Sequence, residues 1–335
     1  MDYLRMKKRV GLIAPLLLVL LLSAFTSERK VKIFMIGDST MANKGIDGGK
    51  LERGWGMMLD NFFDDDVVVD NHAKNGRSSK SFIAEGLWEE VRDQIKPGDY
   101  VFIQFGHNDE KQDTVRHTEP GTTFDANLRM FVNETKARGG IPVLFNSVVR
   151  RTFAVSKTAV EDDDKRDNSS ANLVEGDSLI DTHGAYLVSP RKVAEETGTV
   201  FIDANKITHR LEQDLGPVGS RKLHMCYEPG EVPSLPEGRQ DNTHYNVYGA
   251  YTVAGLLADA VADKVPELRR HIRHCDVSVA KDGRGLYFDV QEAVDSLPDG
   301  CKATVLVGEG EWRKPSISGG KDVKFVMRDG AKWID

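Results

Sequence analysis

Apolar residues in this chain gather into short, nearly unbroken runs: VKIFMI (31–36), VVVDN (67–71), YVFIQF (100–105), IPVLFNS (141–147) and TVFID (199–203). Continuous rather than alternating apolar character predicts strands covered on both faces, as in a parallel sheet. The segments between them have helical spacing. WGMMLDNFF puts Trp55, Leu59 and Phe62 on one face, and SFIAEGLWEEVRDQI (81–95) and DANLRMFVNETKARG (125–139) repeat that pattern. Gly139 closes the last of these as a helix stop. YGAYTVAGLLADAVADKV (248–265) predicts one more long helix. The alternation predicts an open parallel α/β sheet with helices on both faces.

Three stretches depart from that rhythm. Lys7, Lys8 and Arg9 precede an apolar run from Val10 to Phe25, interrupted by Pro15 and followed by Thr26 to Arg29. This is the charged-then-apolar order of a secretory signal, with cleavage expected near Ala24, residues 1–27 removed and no stable membrane anchor left. The run is short for a membrane span. Export implies a secreted or periplasmic protein. Residues 150–181, with EDDDKRDNSS at their centre, predict an exposed insertion, in which Asp162 to Asp164 read as a solvated charge run. MCYEPGEVPSLPEGRQ (225–240) predicts irregular chain before the last helix. Beyond Pro266 the pattern turns to β runs at 304–307 and 323–327 with one short helix, too little to bury a core comfortably alone.

Composition narrows the function. A chain of 335 residues with 40% hydrophobic and 29% charged content is an ordinary globular protein. Its net charge of -7 argues against a nucleic-acid partner and requires a local cation wherever an acidic substrate binds. The three cysteines, Cys226, Cys275 and Cys301, form neither a disulfide framework nor a metal spacing. No metal or other cofactor is expected.

Ligands of open α/β sheets bind beyond the carboxyl ends of the strands. There the first run delivers Gly37-Asp38-Ser39, the second NHAKNGRSS with Gly76, and the third GHND with Asn108. DNTHYN, with Asp241 and His244, stands before the last helix. Each is ordinary loop chemistry on its own. Together they supply acyl transfer: Ser39 as nucleophile, His244 as base and Asp241 to orient the imidazole. The backbone N–H groups of Ser39 and Gly76 and the Asn108 amide supply oxyanion donors, with glycine expected at 76 for close backbone approach. Arg77 is a candidate contact for a substrate carboxylate, with an ion pair to Asp109 or Glu110 as the alternative. His107 is a candidate structural or substrate contact. His183, His209, His224, His271 and His274 carry no pattern.

In order and spacing, GDST, the loop Gly76, GHND and DNTH resemble the four blocks of the SGNH (GDSL) hydrolases. GDSTMA, GWG (54–56), NGRSS, FGHND and DNTHYNVYGA look most like the rhamnogalacturonan acetylesterases of that superfamily. The resemblance spans about residues 31 to 263. It implies a flavodoxin-like three-layer fold on a five-stranded parallel sheet, an esterase domain over 28–266, the catalytic roles just assigned, and an acetylated pectic polysaccharide as substrate. VAKDGRGLYFDVQEAVDSLPDG resembles the opening of pectin methylesterases, implying a partial β-helix over 267–335. None of that family's catalytic aspartates can be matched there. A remnant of a fusion and a small accessory layer are the two explanations, and the remnant is preferred. Competing readings are an acetylesterase for another polysaccharide such as xylan, a lipase-like esterase, or a non-catalytic pectin-binding protein. A charged insertion speaks against a lipase lid, and a complete catalytic set against a binding protein.

Overall fold

A computed structural model describes residues 29–153 and 176–335. The expected signal segment and the centre of the insertion lie outside the described residues.

Strand β1 (Val31–Gly37) is followed by a two-residue strand, β2 (Glu52–Arg53), that lies apart from the main sheet. The main sheet adds β3 (Val67–Asn71), β4 (Tyr100–Gln104), β5 (Ile141–Phe145) and β6 (Val200–Ile202). Its order is β3-β1-β4-β5-β6 and every pairing is parallel. Successive residues of a strand point to opposite faces. Ile33 and Met35 therefore enter one core, with Trp55, Phe102, Phe145 and Leu257, while Phe34 and Ile36 enter the other, with Trp88, Ile103, Phe131 and Leu144. Two buried faces explain the unbroken apolar runs.

The first core is covered by α1 (Trp55–Met58), which tightens into a 3-10 turn over Leu59–Phe62. The second is covered by α2 (Ser79–Ala84), α3 (Leu87–Arg92) and α4 (Thr123–Ala137). The single helix expected over 81–95 is thus two, because Gly86 between them takes a left-handed φ of 73°. Beyond β5 come α5 (Val188–Thr197), α6 (Ala204–Gly219), α7 (Val247–Lys264) and the single turn α8 (Pro266–Arg269). The result is the three-layer flavodoxin-like architecture. Among the described residues no helix is long and apolar enough to cross a membrane.

Both irregular stretches need correction. β7 (His224–Tyr227) and β8 (Arg239–Asn246) bracket the Pro-rich segment as an antiparallel hairpin, and β2 pairs with β8 to complete a three-stranded sheet. The roots of the insertion are not exposed. Arg150 and Arg151 are buried, and Arg151 donates to Ser220 Oγ at 3.0 Å and Asn242 Oδ1 at 2.8 Å.

After α8 the chain forms β9 (Val277–Val279), α9 (Val290–Asp295), β10 (Lys302–Val307), β11 (Gly310–Arg313), β12 (Asp322–Met327) and β13 (Ala331–Ile334). β10 pairs in parallel with β9 and β12, and β11 in parallel with β13. This layer has a core of its own around Val279, Val290, Val305, Val307 and Trp312. It also docks sideways: Arg328 bonds Asp60 and lies 2.9 Å from Asp65, and Asn61 Nδ2 donates to Arg284 O at 2.6 Å.

Candidate active site

β1 ends in a turn locked by its own side chains. Asp38 Oδ1 accepts from the Thr40 N–H at 2.9 Å and Thr40 Oγ1 at 2.8 Å, and Gln104 Nε2 donates to Thr40 Oγ1 at 2.7 Å. Trp55 Nε1 in turn holds Gln104 Oε1 at 2.8 Å. Asp38 is fully buried, and burial raises its carboxyl above the usual range although Thr40 opposes this. Ser39, between these two anchors, has little freedom to move.

Ser39 Oγ lies 2.9 Å from His244 Nε2, and His244 Nδ1 lies 2.9 Å from Asp241 Oδ2. The other Asp241 oxygen accepts the backbone N–H groups of Thr243 and His244, each at 2.9 Å. An aspartate that caps its own loop in this way is already oriented toward the imidazole three residues on. Burial alone would lower the affinity of His244 for a proton, but the Asp241 charge and hydrogen bond, with Glu52 behind, hold it above the ordinary value. Burial would likewise raise Asp241, yet His244 and Arg239 carry it well below the usual carboxylate range. A hydroxyl, a base and an anion in a chain can move a proton from oxygen to nitrogen without leaving a charge unpaired.

Gly76 and Asn108 are linked through the neighbouring loop. Asn108 Nδ2 donates to Arg77 O at 3.2 Å, and Asn108 Oδ1 accepts from Arg116 Nη1 at 3.4 Å. Both amide ends are thereby assigned, with one N–H of Nδ2 still free to donate. Among the described residues a side chain at 76 would meet nothing within 4 Å, and φ is 74°, so backbone conformation by itself calls for glycine there.

Arg77 pairs with neither Asp109 nor Glu110. Its guanidinium lies 2.9 Å from Glu85, and Nη1 donates to Asn75 O at 2.9 Å, on the rim of a cleft of about 370 Å³ shared with Asn43, Asn71 and Lys74. Asp109 is buried on Ser79 and Thr118, which leave it raised by burial to about 7. Glu110 pairs with Arg150 and lies 3.0 Å from His183 Nδ1. His107, expected as a structural or substrate contact, stands among buried side chains. Its ring meets His183 edge-on at 4.5 Å, and among the described residues neither ring nitrogen has a hydrogen-bond partner.

The sequence reading missed a second tier of charge. Arg239 Nη2 donates to Asp241 Oδ2 at 2.5 Å, Arg239 Nη1 to Glu52 Oε2 at 2.7 Å, and Lys44 Nζ lies 2.7 Å from Glu52 Oε1. For Glu52, burial opposes ionisation, but His244, Lys44 and Arg239 prevail and lower it to about 2. Arg239 stands two residues before Asp241, which was the available signal. Among the described residues, Asp64, Asp66 and His271 are the one set with metal-ligand proximity. His271 lies 3.1 Å from Asp64 and accepts from Arg270 Nε at 3.1 Å, so its two nitrogens are already used.

Comparison with known proteins agrees with this geometry. Residues 35–225 match the GDSL-like Lipase/Acylhydrolase family. Rhamnogalacturonan acetylesterase RhgT of Bacillus subtilis is 33% identical over 245 residues, 73% of this chain and 95% of the relative. A rhamnogalacturonan acetylesterase of Emericella nidulans is 39% identical over 88 residues, 26% of this chain and 32% of the relative. The crystal structure of the Bacillus subtilis protein YxiM superposes with a TM-score of 0.54 at 26% identity, over 70% of this chain and 56% of that one. With the strand-end serine, the sheet order and the matched span all in accord, the chain belongs to the GDSL-like (SGNH) lipase/acylhydrolase family.

Proposed function

We propose that this chain is a serine acetylesterase that removes acetyl groups from a pectic polysaccharide, the rhamnogalacturonan backbone in particular. The observation that carries the reading is the continuous chain Ser39 Oγ, His244 and Asp241, with links of 2.9 Å. The names of the relatives direct it to rhamnogalacturonan acetyl esters.

In this mechanism Ser39 Oγ bonds to the acetyl carbonyl carbon as its proton passes to His244 Nε2. The carbonyl oxygen, now an anion, accepts from the N–H groups of Ser39 and Gly76 and from Asn108 Nδ2. Each such donor contributes about 2.7–4 kcal/mol to the transition state. Collapse expels the sugar oxygen, which takes the proton from His244. Water then gives a proton to His244 and its oxygen to the acetyl carbon, and acetate leaves as Ser39 recovers its proton. Asp241 holds the imidazole tautomer throughout. Arg77, next to Gly76 in the chain and paired with Glu85, is the candidate contact for a substrate carboxylate.

The basic-then-apolar N-terminus supports action outside the cytoplasm, after removal of residues 1–27. The parallel pairings of β9, β10 and β12 support reading 267–335 as the opening coil of a β-helix beside an esterase domain over 28–266. Acetate release measured on acetylated rhamnogalacturonan, homogalacturonan and xylan tests the substrate. The reading expects the first to be the best substrate. Faster release from xylan would overturn the pectic assignment.

A further inference from the structure

The C-terminal layer reaches the candidate catalytic centre through one buried arginine. Arg53 is 1% exposed, and its Nε donates to Gly283 O at 3.0 Å, in the loop after β9. Its Nη1 holds the carbonyls of Lys50 and Glu52, each at 2.8 Å. Its backbone pairs with Tyr245 on β8, and that of Glu52 with Asn246. Gly283 packs tightly on Ile46, with this arginine next to it. A Cβ there would fall 2.4 Å from Ile46 Cγ2 and 3.3 Å from Arg53 Nη2, and φ is already 81°.

Glu52 therefore stands on a two-residue strand that is clamped from the tail side, and from it two lines of charge run into the site. One passes through Arg239 to Asp241 Oδ2, the same oxygen that faces His244 Nδ1. The other passes through Lys44, whose Nζ also donates to Asn75 Oδ1 at 2.6 Å, one residue before Gly76. One carboxylate thus ties the orienting acid to the loop that carries a proposed oxyanion donor.

We propose that Glu52 is a positioning residue for the esterase reaction, and that the C-terminal layer, through Gly283 and Arg53, holds it in place. The inference rests on the Ser39, His244 and Asp241 assignment. Its physical content is a division of work at Asp241. Arg239 competes with His244 for one oxygen, and Glu52 moderates that competition by taking the other end of the guanidinium. Without the Glu52 charge, Arg239 turns wholly on Asp241, so His244 faces a weakened Asp241, loses the more distant Glu52 anion and keeps the Lys44 cation, with Asp38 and His107 as its other titratable neighbours. Both changes lower the affinity of His244 for its proton, so the acid limb of activity moves to lower pH.

The test compares wild type, Glu52→Gln, Gly283→Val, Ser39→Ala and His244→Ala on a neutral aryl acetate, across pH, with thermal melting in parallel. Glu52→Gln is nearly isosteric and is expected to lose about tenfold or more in kcat with KM little changed. Its acid limb should move down in pH. Gly283→Val, far along the chain from every reacting group, is expected to shift the limb the same way with a smaller loss of kcat. A lowered melting temperature with unchanged kcat and an unmoved acid limb in both variants would overturn the proposal and leave the tail a purely structural layer. A shift in Glu52→Gln alone would overturn the role of the tail. Retained turnover in Ser39→Ala or His244→Ala would instead sink the underlying assignment, and so distinguishes the two failures.

Discussion

At the scale of single residues, His107 makes the sharpest claim. Its ring is buried with no hydrogen-bond partner on either nitrogen among the described residues, and burial holds its proton affinity well below the ordinary histidine value. His183, Arg150, His244 and Lys111 add repulsion. The fold therefore keeps His107 neutral, while the unfolded chain protonates it below pH of about 6.5. The stability linked to it is present above that pH and is lost as pH falls, by at most about 1.4 kcal/mol per pH unit for one proton. Urea unfolding at pH 7.5 and 5.5 checks this. Wild type should lose more stability on acidification than His107→Phe, and parallel losses would refute the claim. The contact of Ser39, His244 and Asp241 was legible as a candidate in the sequence because these residues sit in short blocks whose order survives folding. His107 was legible only as a neighbour of Asn108, since its burial depends on His183, which sequence alone does not place beside it.

Among the elements, the five main strands were legible because burial on both faces leaves an unbroken apolar run, as in YVFIQF. The β2-β8-β7 sheet was not. β2 has two residues, too few for any period, and β8 (RQDNTHYN) is polar because it supplies the candidate site residues Asp241 and His244 and the charged Arg239, with only Tyr245 of the eight in the apolar core. What fixes that sheet is one side chain at the junction of β8 and α7. Asn246 Oδ1 caps the Gly249 N–H at 2.9 Å, while its Nδ2 donates to Lys222 O at 2.9 Å and His224 O at 3.0 Å. Asn246→Ala should cost about 2 kcal/mol, combining the lost cap with buried carbonyls left unpaired. Asn246→Ser retains a cap acceptor without reaching the two carbonyls and should recover only part of this. Equal stability of Ala and Ser variants in denaturant titrations would show that the cap contributes nothing. Glu52 and Arg239 escaped the sequence reading for a related reason: 187 residues separate partners that meet only across this sheet.

On the scale of the whole molecule, the C-terminal layer and the three-layer fold behave as one packed body. Arg328 is 15% exposed and bridges Asp60 and Asp65, which are 20% and 26% exposed. Arg328→Ala leaves two partly buried carboxylates facing each other and should destabilise by about 2–3 kcal/mol, with a single cooperative melt retained. A change within about 0.5 kcal/mol would mean that the Arg328 bridge contributes nothing to holding the layer. All of this structure converges on a serine whose hydroxyl lies 2.9 Å from an imidazole nitrogen. The central claim is that this hydroxyl is the nucleophile. Its most direct test is the rate of acetate release from acetylated rhamnogalacturonan by purified Ser39→Ala protein with a wild-type melting temperature. A loss of about 10⁴-fold or more is expected; a variant retaining a tenth of wild-type turnover would rule Ser39 out as the nucleophile.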